Sequence, residues 1–123
     1  ATLSGGQRQR AWVAMVLAQD TEVILLDEPT TFLDIAHQYE LLELFAGLNR
    51  EGRTIVAVLH DLNQAARFAS RLVVMHEGRI RGDGPPAQVL TSELVREVFG
   101  LGAEVLDDPQ SGTPMVVPHV RVS

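Results

Sequence analysis

Cysteine is absent from the 123-residue chain, which excludes disulfide bridges and thiolate metal sites. No apolar run approaches the roughly 20 residues that a membrane span requires, and the densest run covers only residues 11–18. Residues 1–6 do not resemble a secretion signal. Positive charge is also scarce: the formal net charge is -6, which disfavours nucleic acid as a partner. We expect a protein that is soluble or peripheral to a membrane.

The remaining composition is that of an ordinary globular domain. Hydrophobic residues make up 46% of the chain and charged residues 21%, which provides enough apolar mass for one core. Apolar runs predict strands at residues 22–27, 54–59 and 71–76, and helices near residues 4–19, 35–50 and 61–69. Strands of this unbroken kind fit a parallel sheet that is covered on both faces. The alternation predicts an α/β fold with a mostly parallel sheet and flanking helices.

Shorter elements are predicted towards the C-terminus. A hairpin turn at residues 77–78 leads into an exposed edge strand at residues 79–82. Ser92 is expected to cap a helix that ends near residue 99. Residues 105–106 and 115–117 are candidates to pair with each other as strands.

The first predicted helix begins with a glycine-rich sequence. Residues 3–7 read Leu-Ser-Gly-Gly-Gln. The free backbone N–H groups and the positive dipole end of a helix start suit an anion such as phosphate, and glycine lets it approach closely. The candidate binding residues are Ser4, Gly5, Gly6 and Gln7. The alternative is an ordinary helix start that Ser4 caps.

Two predicted strands are followed by residues that can carry chemistry. Asp27 and Glu28 end the first strand, and His60 follows the second. Ligands of open α/β sheets bind at the carboxyl ends of the strands. Asp27 is a candidate to hold Mg²⁺ through water, and Glu28 to polarise an attacking water. His60 is a candidate to contact a phosphate or align that water; solvated acids and a structural histidine are the alternatives.

Together these motifs resemble the ATP-binding subunit of ABC transporters. They occur in the order Leu-Ser-Gly-Gly-Gln at residues 3–7, Leu-Asp-Glu-Pro-Thr at residues 26–30, Leu-Asp at residues 33–34, and His60. In that family they are the signature loop, the Walker B strand with its catalytic glutamate, the D-loop and the switch histidine. The resemblance covers residues 1–90 well and residues 91–123 only loosely. It implies an ATPase core in residues 1–90 and a helical and hairpin extension in residues 91–123.

The resemblance implies a reaction and a set of cofactors. Two subunits would sandwich two ATP molecules, and water would attack the γ-phosphate in line. Asp27 would hold Mg²⁺, while Glu28 and His60 would be the catalytic residues. Both would have to lie on the same side of the site. The implied ATP-binding residues are Ser4, Gly5, Gly6, Gln7, Leu33 and Asp34.

A finer resemblance lies in residues 27–38. The run Thr-Phe-Leu-Asp-Ile-Ala-His-Gln at residues 31–38 is similar to the subunits that power bacterial iron–siderophore, haem and cobalamin uptake. It implies import of an iron chelate, a transmembrane permease as a partner, and a cytoplasmic location on the inner face of the membrane. Import of another substrate is the alternative. Physically, Phe32 could simply pack, and His37 and Gln38 could be solvated helix residues.

The chain departs from the family in one important respect. No G-x-x-x-x-G-K-[ST] motif occurs in the 123 residues, so the phosphate-cradling loop is missing. We expect a C-terminal fragment of a P-loop NTPase domain that is incomplete without its upstream half. In this family the strand that carries the loop lies between the strands at residues 55–59 and 72–75. Its absence leaves unpaired edges, and self-association, strand exchange or partial disorder of the isolated chain is expected.

Two further readings of the sequence belong to other functional classes. One is an ABC ATPase that acts in translation or DNA repair and is not coupled to transport. The negative net charge and the run at residues 31–38 disfavour it. The other is a non-catalytic module that binds the nucleotide of a partner ATPase through residues 3–7. Nucleotide titration with and without a partner that carries a phosphate loop separates these readings.

The missing phosphate loop yields a direct prediction. The isolated 123-residue chain is expected not to hydrolyse ATP, because the loop contributes the backbone cradle and the lysine that hold the phosphates. The measurement is phosphate release with and without Mg²⁺. Mg²⁺-dependent turnover by the isolated chain would contradict the prediction.

Overall fold

The computed structural model describes residues 22–120. The chain divides into two compact units between His60 and Asp61, and each unit is described separately below. The helix predicted near residues 4–19 lies outside the described residues. No helix within residues 22–120 combines the length and the apolar character that crossing a bilayer demands.

Residues 22–60 form a strand–helix–strand unit. Strand β1 spans Val23–Asp27, helix α1 spans Ile35–Arg50 and strand β2 spans Thr54–Val58. The strands pair in parallel, with Asp27 opposite Val58. Parallel neighbours need a crossover, and α1 provides it. The first two predicted strands and the helix between them are confirmed.

Helix α1 begins at Ile35 because Asp34 caps it. The Asp34 carboxylate accepts the backbone N–H of His37 at 2.9 Å. That N–H, and then the nearby imidazole of His37, hold the pKa of the Asp34 carboxyl below its usual value. The helix ends at Arg50, and Gly52 follows with a φ of 103°, a conformation that favours glycine.

The core of this unit lies between α1 and one face of the strand pair. Apolar side chains that recur along one face of α1 pack against every second residue of β1. The buried residues are Ile24, Leu26, Leu33, Leu41, Phe45 and Leu48.

The opposite face of the strand pair is exposed. Val23 and Leu25 of β1 are 53% and 73% exposed, and Val56 and Val58 of β2 are 51% and 50% exposed. The prediction that both faces are covered is therefore wrong for these residues. Helix α1 supplies one layer, and residues 22–60 contain no second element that could form the other.

Residues 61–120 form a second α/β unit with two hairpins. Its elements are α2 (Leu62–Phe68), β3 (Leu72–His76), β4 (Arg79–Gly84), α3 (Pro86–Val89), α4 (Ser92–Phe99), β5 (Ala103–Asp107) and β6 (Pro114–Pro118). The pairs β3–β4 and β5–β6 are antiparallel. The predicted pairing of residues 105–106 with 115–117 is confirmed. In the described part of the chain, only β1–β2 is parallel.

One two-residue turn connects the strands of the first hairpin, β3 and β4. Glu77 and Gly78 both have positive φ, 51° and 74°, as a two-residue type I′ turn requires. The predicted turn is confirmed, and the edge strand extends to Gly84. Gly82 is needed for packing, because a Cβ there would lie 2.9 Å from Val89 Cγ1.

The start of α4 differs from the prediction. Thr91 caps the helix, because its hydroxyl accepts the N–H of Leu94 at 3.1 Å, and Ser92 is the first helical residue. Adjacent hydroxyl residues satisfy the same capping pattern, so only the backbone conformation distinguishes them. The helix ends at Phe99, as predicted, before Gly100 with a φ of 64°.

The second unit has its own core. It collects apolar residues from α2, β3, α3, α4, β5 and β6. They are Ala66, Leu72, Val74, Val89, Leu90, Val95, Val98, Ala103 and Val116. Core residues lie on both sides of residue 90. The division into an ATPase core at residues 1–90 and a helical and hairpin extension at residues 91–123 stays a prediction.

Two leucines of α1 test this packing. Leu41 is 6% exposed and Leu44 is 41% exposed. Leu41→Ala is expected to lower the free energy of unfolding by about 2–5 kcal/mol, because it leaves a cavity. The matched control Leu44→Ala is expected to cost at most about 1 kcal/mol. Urea unfolding measures both, and equal costs would contradict the described burial.

The capping carboxylate makes stability depend on pH. The pKa of the Asp34 carboxyl is lower in the folded than in the unfolded protein. The ionised carboxylate therefore contributes fully to the free energy of unfolding above the unfolded-state pKa of about 4, and this contribution is lost as pH falls through the folded-state pKa. Asn also caps helices but does not titrate. The stability of the wild type relative to Asp34→Asn should therefore decline below about pH 4. Urea unfolding at neutral and acid pH gives this difference, and a constant value would refute the linkage.

Candidate active site

The two predicted acidic residues lie where β1 ends. Asp27 is its last residue, and the N–H of Glu28 donates to the carbonyl of Val58 at 3.1 Å. This bond extends the parallel ladder by one residue. Glu28 then adopts a φ of 49°, which is uncommon for a residue with a side chain. The chain therefore turns immediately after the last hydrogen bond of the pair.

The structure brings Glu28 and His60 together. His60 lies two residues beyond β2, and its Nε2 is hydrogen bonded to Oε1 of Glu28. An imidazole that carries its proton on Nε2 would donate to the carboxylate in this contact. Both side chains remain open to solvent, 74% exposed for His60 and 43% for Glu28. Glu28 and His60 are thus in contact and do not lie on opposite edges of the sheet, while their catalytic roles stay a prediction.

Asp27 has the chemistry of a magnesium ligand. It is exposed at the carboxyl end of β1, and hard carboxylate oxygens suit Mg²⁺. Residues 22–120 hold no group of three His, Cys, Asp or Glu residues arranged for a metal. Because Mg²⁺ usually keeps several waters and takes only one or two carboxylates, Asp27 fits the role of a single contact.

The loop after Glu28 is folded by two turns and one side chain. The N–H of Thr31 donates to the carbonyl of Glu28, and that of Leu33 to Thr30, both at 3.2 Å. Gln38 Nε2 donates to the carbonyl of Leu33 at 3.0 Å. The reading of Gln38 as a solvated helix residue is therefore wrong. Its contact with Leu33 has no recognisable sequence signal, since the spacing of five residues matches no capping pattern.

Four other residues of this loop and of the start of α1 were singled out from the sequence, and they behave differently. Leu33 is buried in the core and Asp34 caps α1, while their contact with ATP stays a prediction. Phe32 is 97% exposed with a φ of 70°. The alternative that Phe32 packs is wrong. His37 is not simply solvated, because its Nδ1 lies 2.9 Å from Asp34 Oδ1.

The glycine-rich part of the predicted site precedes the residues that the structure describes. Ser4, Gly5, Gly6 and Gln7 lie outside the described residues. Their proposed contact with a phosphate stays a prediction from the sequence. Of the predicted chemistry, the structure describes the strand-end group of Asp27, Glu28 and His60.

Comparison with known proteins identifies related sequences. A family model described as "ABC transporter" matches residues 1–31. The ferric enterobactin transport ATP-binding protein of Escherichia coli strain K12 is 61% identical over 123 residues, 99% of this chain and 45% of that protein. The achromobactin transport ATP-binding protein of Dickeya dadantii strain 3937 is 55% identical over 120 residues, 97% of this chain and 45% of that protein. The chain thus spans about half the length of these relatives or less.

Solved structures agree with the sequence relatives. A structure described as a metal-chelate type ABC transporter, in an inward-facing conformation, matches with a TM-score of 0.85 and 32% identity, over 97% of this chain and 48% of that one. A dimeric ATP-binding cassette bound to ADP and Pi matches with a TM-score of 0.61 and 38% identity. The match covers 68% of this chain and 36% of that one. The predicted α/β fold, as part of an ABC ATPase domain, is confirmed. Along almost all of its length, this chain is therefore related to the ATP-binding subunits of ABC transporters, as its motifs predict.

Proposed function

We propose that the chain is part of the ATP-hydrolysing subunit of an ABC-type importer that carries an iron chelate across the bacterial inner membrane. The hydrogen bond between Glu28 and His60 carries the hydrolytic part of the proposal. The substrate class is supported by relatives named for transport of ferric enterobactin, achromobactin and hemin. The run at residues 31–38 supports the same class.

Glu28 is proposed to polarise the attacking water. In-line attack on a γ-phosphate depends on positioning and charge stabilisation more than on covalent chemistry. One oxygen of Glu28 is proposed to accept an N–H from Nε2 of His60, with which it is in hydrogen-bond contact, and this contact orients the carboxylate. The other oxygen is then available to accept a proton from water. His60 thus orients the base, and its exposed imidazole is also proposed to contact the γ-phosphate.

The proposed cofactors are ATP and Mg²⁺. The ion, when bound, neutralises charge on the phosphate oxygens. Asp27 is proposed to hold it through water, because its carboxylate is exposed at the strand end beside Glu28. Leu33 and Asp34 are proposed to face the nucleotide from the loop that Gln38 braces.

The proposed partners are a second ATP-binding subunit and a transmembrane permease. Dimeric cassettes among the similar structures support the first. Ser4, Gly5, Gly6 and Gln7 are proposed to contact the γ-phosphate held by the second subunit. A permease and a location on the cytoplasmic face of the membrane are also proposed, and the import named for the petrobactin, iron-hydroxamate and hemin relatives supports them. Nucleic acid is not a proposed partner.

Replacing the carboxylate tests the hydrolytic role. In the complete subunit that contains this chain, Glu28→Gln is expected to lower kcat for ATP hydrolysis by about 10²-fold or more, because an amide cannot accept the proton. ATP binding should persist, since the substitution removes no proposed phosphate or metal contact. Steady-state hydrolysis and nucleotide titration measure the two quantities.

The matched control is Glu43→Gln, the same change at an exposed residue of α1. It is expected to leave kcat within about twofold of the wild type. Equal activity of Glu28→Gln and Glu43→Gln would refute the proposed base.

A further inference from the structure

A series of backbone hydrogen bonds connects the candidate base Glu28 to the loop that precedes α1. The N–H of Glu28 donates to the carbonyl of Val58 at 3.1 Å, which attaches the beginning of the loop to the strand pair. The carbonyl of Glu28 in turn accepts the N–H of Thr31 at 3.2 Å. The carbonyl of Thr30 accepts the N–H of Leu33 at the same distance. Two overlapping turns therefore fold the loop.

The turns leave two residues in an unfavourable backbone conformation. Glu28 has a φ of 49° and Phe32 a φ of 70°. Phe32 is the third residue of the second turn, where a positive φ favours glycine. Its side chain is almost fully exposed, so it adds little packing that could compensate. Residues in this region cost free energy, and they persist only where other contacts determine the conformation.

Gln38 supplies such a contact from the first turn of α1. Its Nε2 donates to the carbonyl of Leu33 at 3.0 Å. The N–H of Leu33 is already bonded to Thr30, and its side chain is buried in the core. Core packing holds that side chain but leaves the direction of the carbonyl open. Because the peptide group is planar, the bond from Gln38 fixes the plane that joins Leu33 to Asp34.

The donor itself is anchored in the packed part of α1. The backbone N–H of Gln38 donates to the carbonyl of Asp34 at 3.0 Å, within the first helical turn. Leu41 and Leu42, which follow in the next turn, are buried. The side-chain amide thus reaches back from a packed helix to the end of the loop. All of these contacts lie within the compact unit that ends at His60.

We infer that Gln38 is a positioning residue for Glu28. The bond to Leu33 holds the far end of the loop, and the two turns carry this constraint back to the peptide of Glu28. The carboxylate is thereby kept where it contacts His60. The inference rests on the proposed catalytic roles of Glu28 and His60, and it adds a residue that acts on the reaction through the loop.

The test uses Gln38→Met in the complete subunit. Methionine is unbranched and has a helix propensity close to that of glutamine, so α1 should persist while the donor is lost. The variant is expected to lower kcat for ATP hydrolysis about tenfold and to change KM for ATP by less than about twofold, because small displacements of a catalytic group are costly. An unchanged kcat would overturn the inference, whatever the effect on KM.

The matched control is Gln88→Met, the same change at an exposed residue of α3. It should leave kcat and KM within about twofold of the wild type. A loss of kcat in Gln88→Met equal to that in Gln38→Met would overturn the inference.

Rescue separates the hydrogen bond from the packing of the side chain. Gln38→Lys keeps a long, unbranched side chain and restores N–H donors. Its kcat is expected to lie within about threefold of the wild type, because a charged donor bonds to a carbonyl at least as strongly as an amide does. A loss as large as that in Gln38→Met would overturn the inference, since the effect would not depend on the donor.

Amide hydrogen exchange reports on the loop independently of hydrolysis. In Gln38→Met, the N–H groups of Thr31 and Leu33 should exchange about tenfold faster, because the loop opens more easily without the bond. The N–H of Phe45, in the middle of α1, should keep its wild-type rate. Equal acceleration at Phe45 would indicate general destabilisation and overturn the inference. Wild-type rates at Thr31 and Leu33 would overturn it as well.

These measurements keep the inference separate from the proposed function. If the complete wild-type subunit does not hydrolyse ATP, the proposed function fails, and the exchange rates alone decide whether Gln38 fixes the loop. If the wild type hydrolyses ATP and Gln38→Met does so equally well, the inference fails and the proposed function stands. If Gln38→Met does not fold, Gln38→Glu replaces it, because an ionised carboxylate of similar size cannot donate. Its control is Gln88→Glu, and the same outcomes apply.

Discussion

The parallel ladder between β1 and β2 is the constraint on which the candidate site depends. Because the strands run in the same direction, their carboxyl ends meet at one edge. The last bond of the ladder joins Glu28 N–H to Val58. Glu28 and His60, 32 residues apart, then follow these strand ends and meet there. An antiparallel pairing would place the two residues at opposite ends, and no single side chain could restore the contact.

The same strand pair shows how the chain relates to a larger domain. Helix α1 covers one face, while Leu25 and Val56 on the other are more than half exposed. Strands of a parallel sheet are normally covered on both faces. The chain spans 45% of its Escherichia coli relative, and an uncovered apolar face is expected of a part of a longer domain. The expectation of self-association rests on a different feature, the unpaired strand edges, and stays a prediction.

Local signals in the sequence predicted most elements. Three examples are the apolar run before Asp27, the capping residue Asp34 and the apolar residues at helical spacing in α1. Each of these patterns is compatible with few other local conformations. Where two residues satisfied one pattern, as Thr91 and Ser92 do, the sequence could not choose between them. The strand pairing at the C-terminus was also predicted, because the apolar runs flank a polar turn. The exposed face of β1 and β2 was missed, since burial depends on which other elements are present.

The sequence by itself determined the residue types of the site and their places at strand ends. The reason is that the spacing of apolar residues, and the residues that end a strand or a helix, act over only a few positions. It also determined the family resemblance, which relies on the order of short motifs. Only the tertiary structure decided that the imidazole of His60 meets Glu28, that Gln38 braces the loop, and that Asn63 and Arg67 of α2 are hydrogen bonded to the β5–β6 hairpin. These contacts join side chains through the packing of separate elements. No local pattern specifies them, because their geometry exists only after strands and helices have packed.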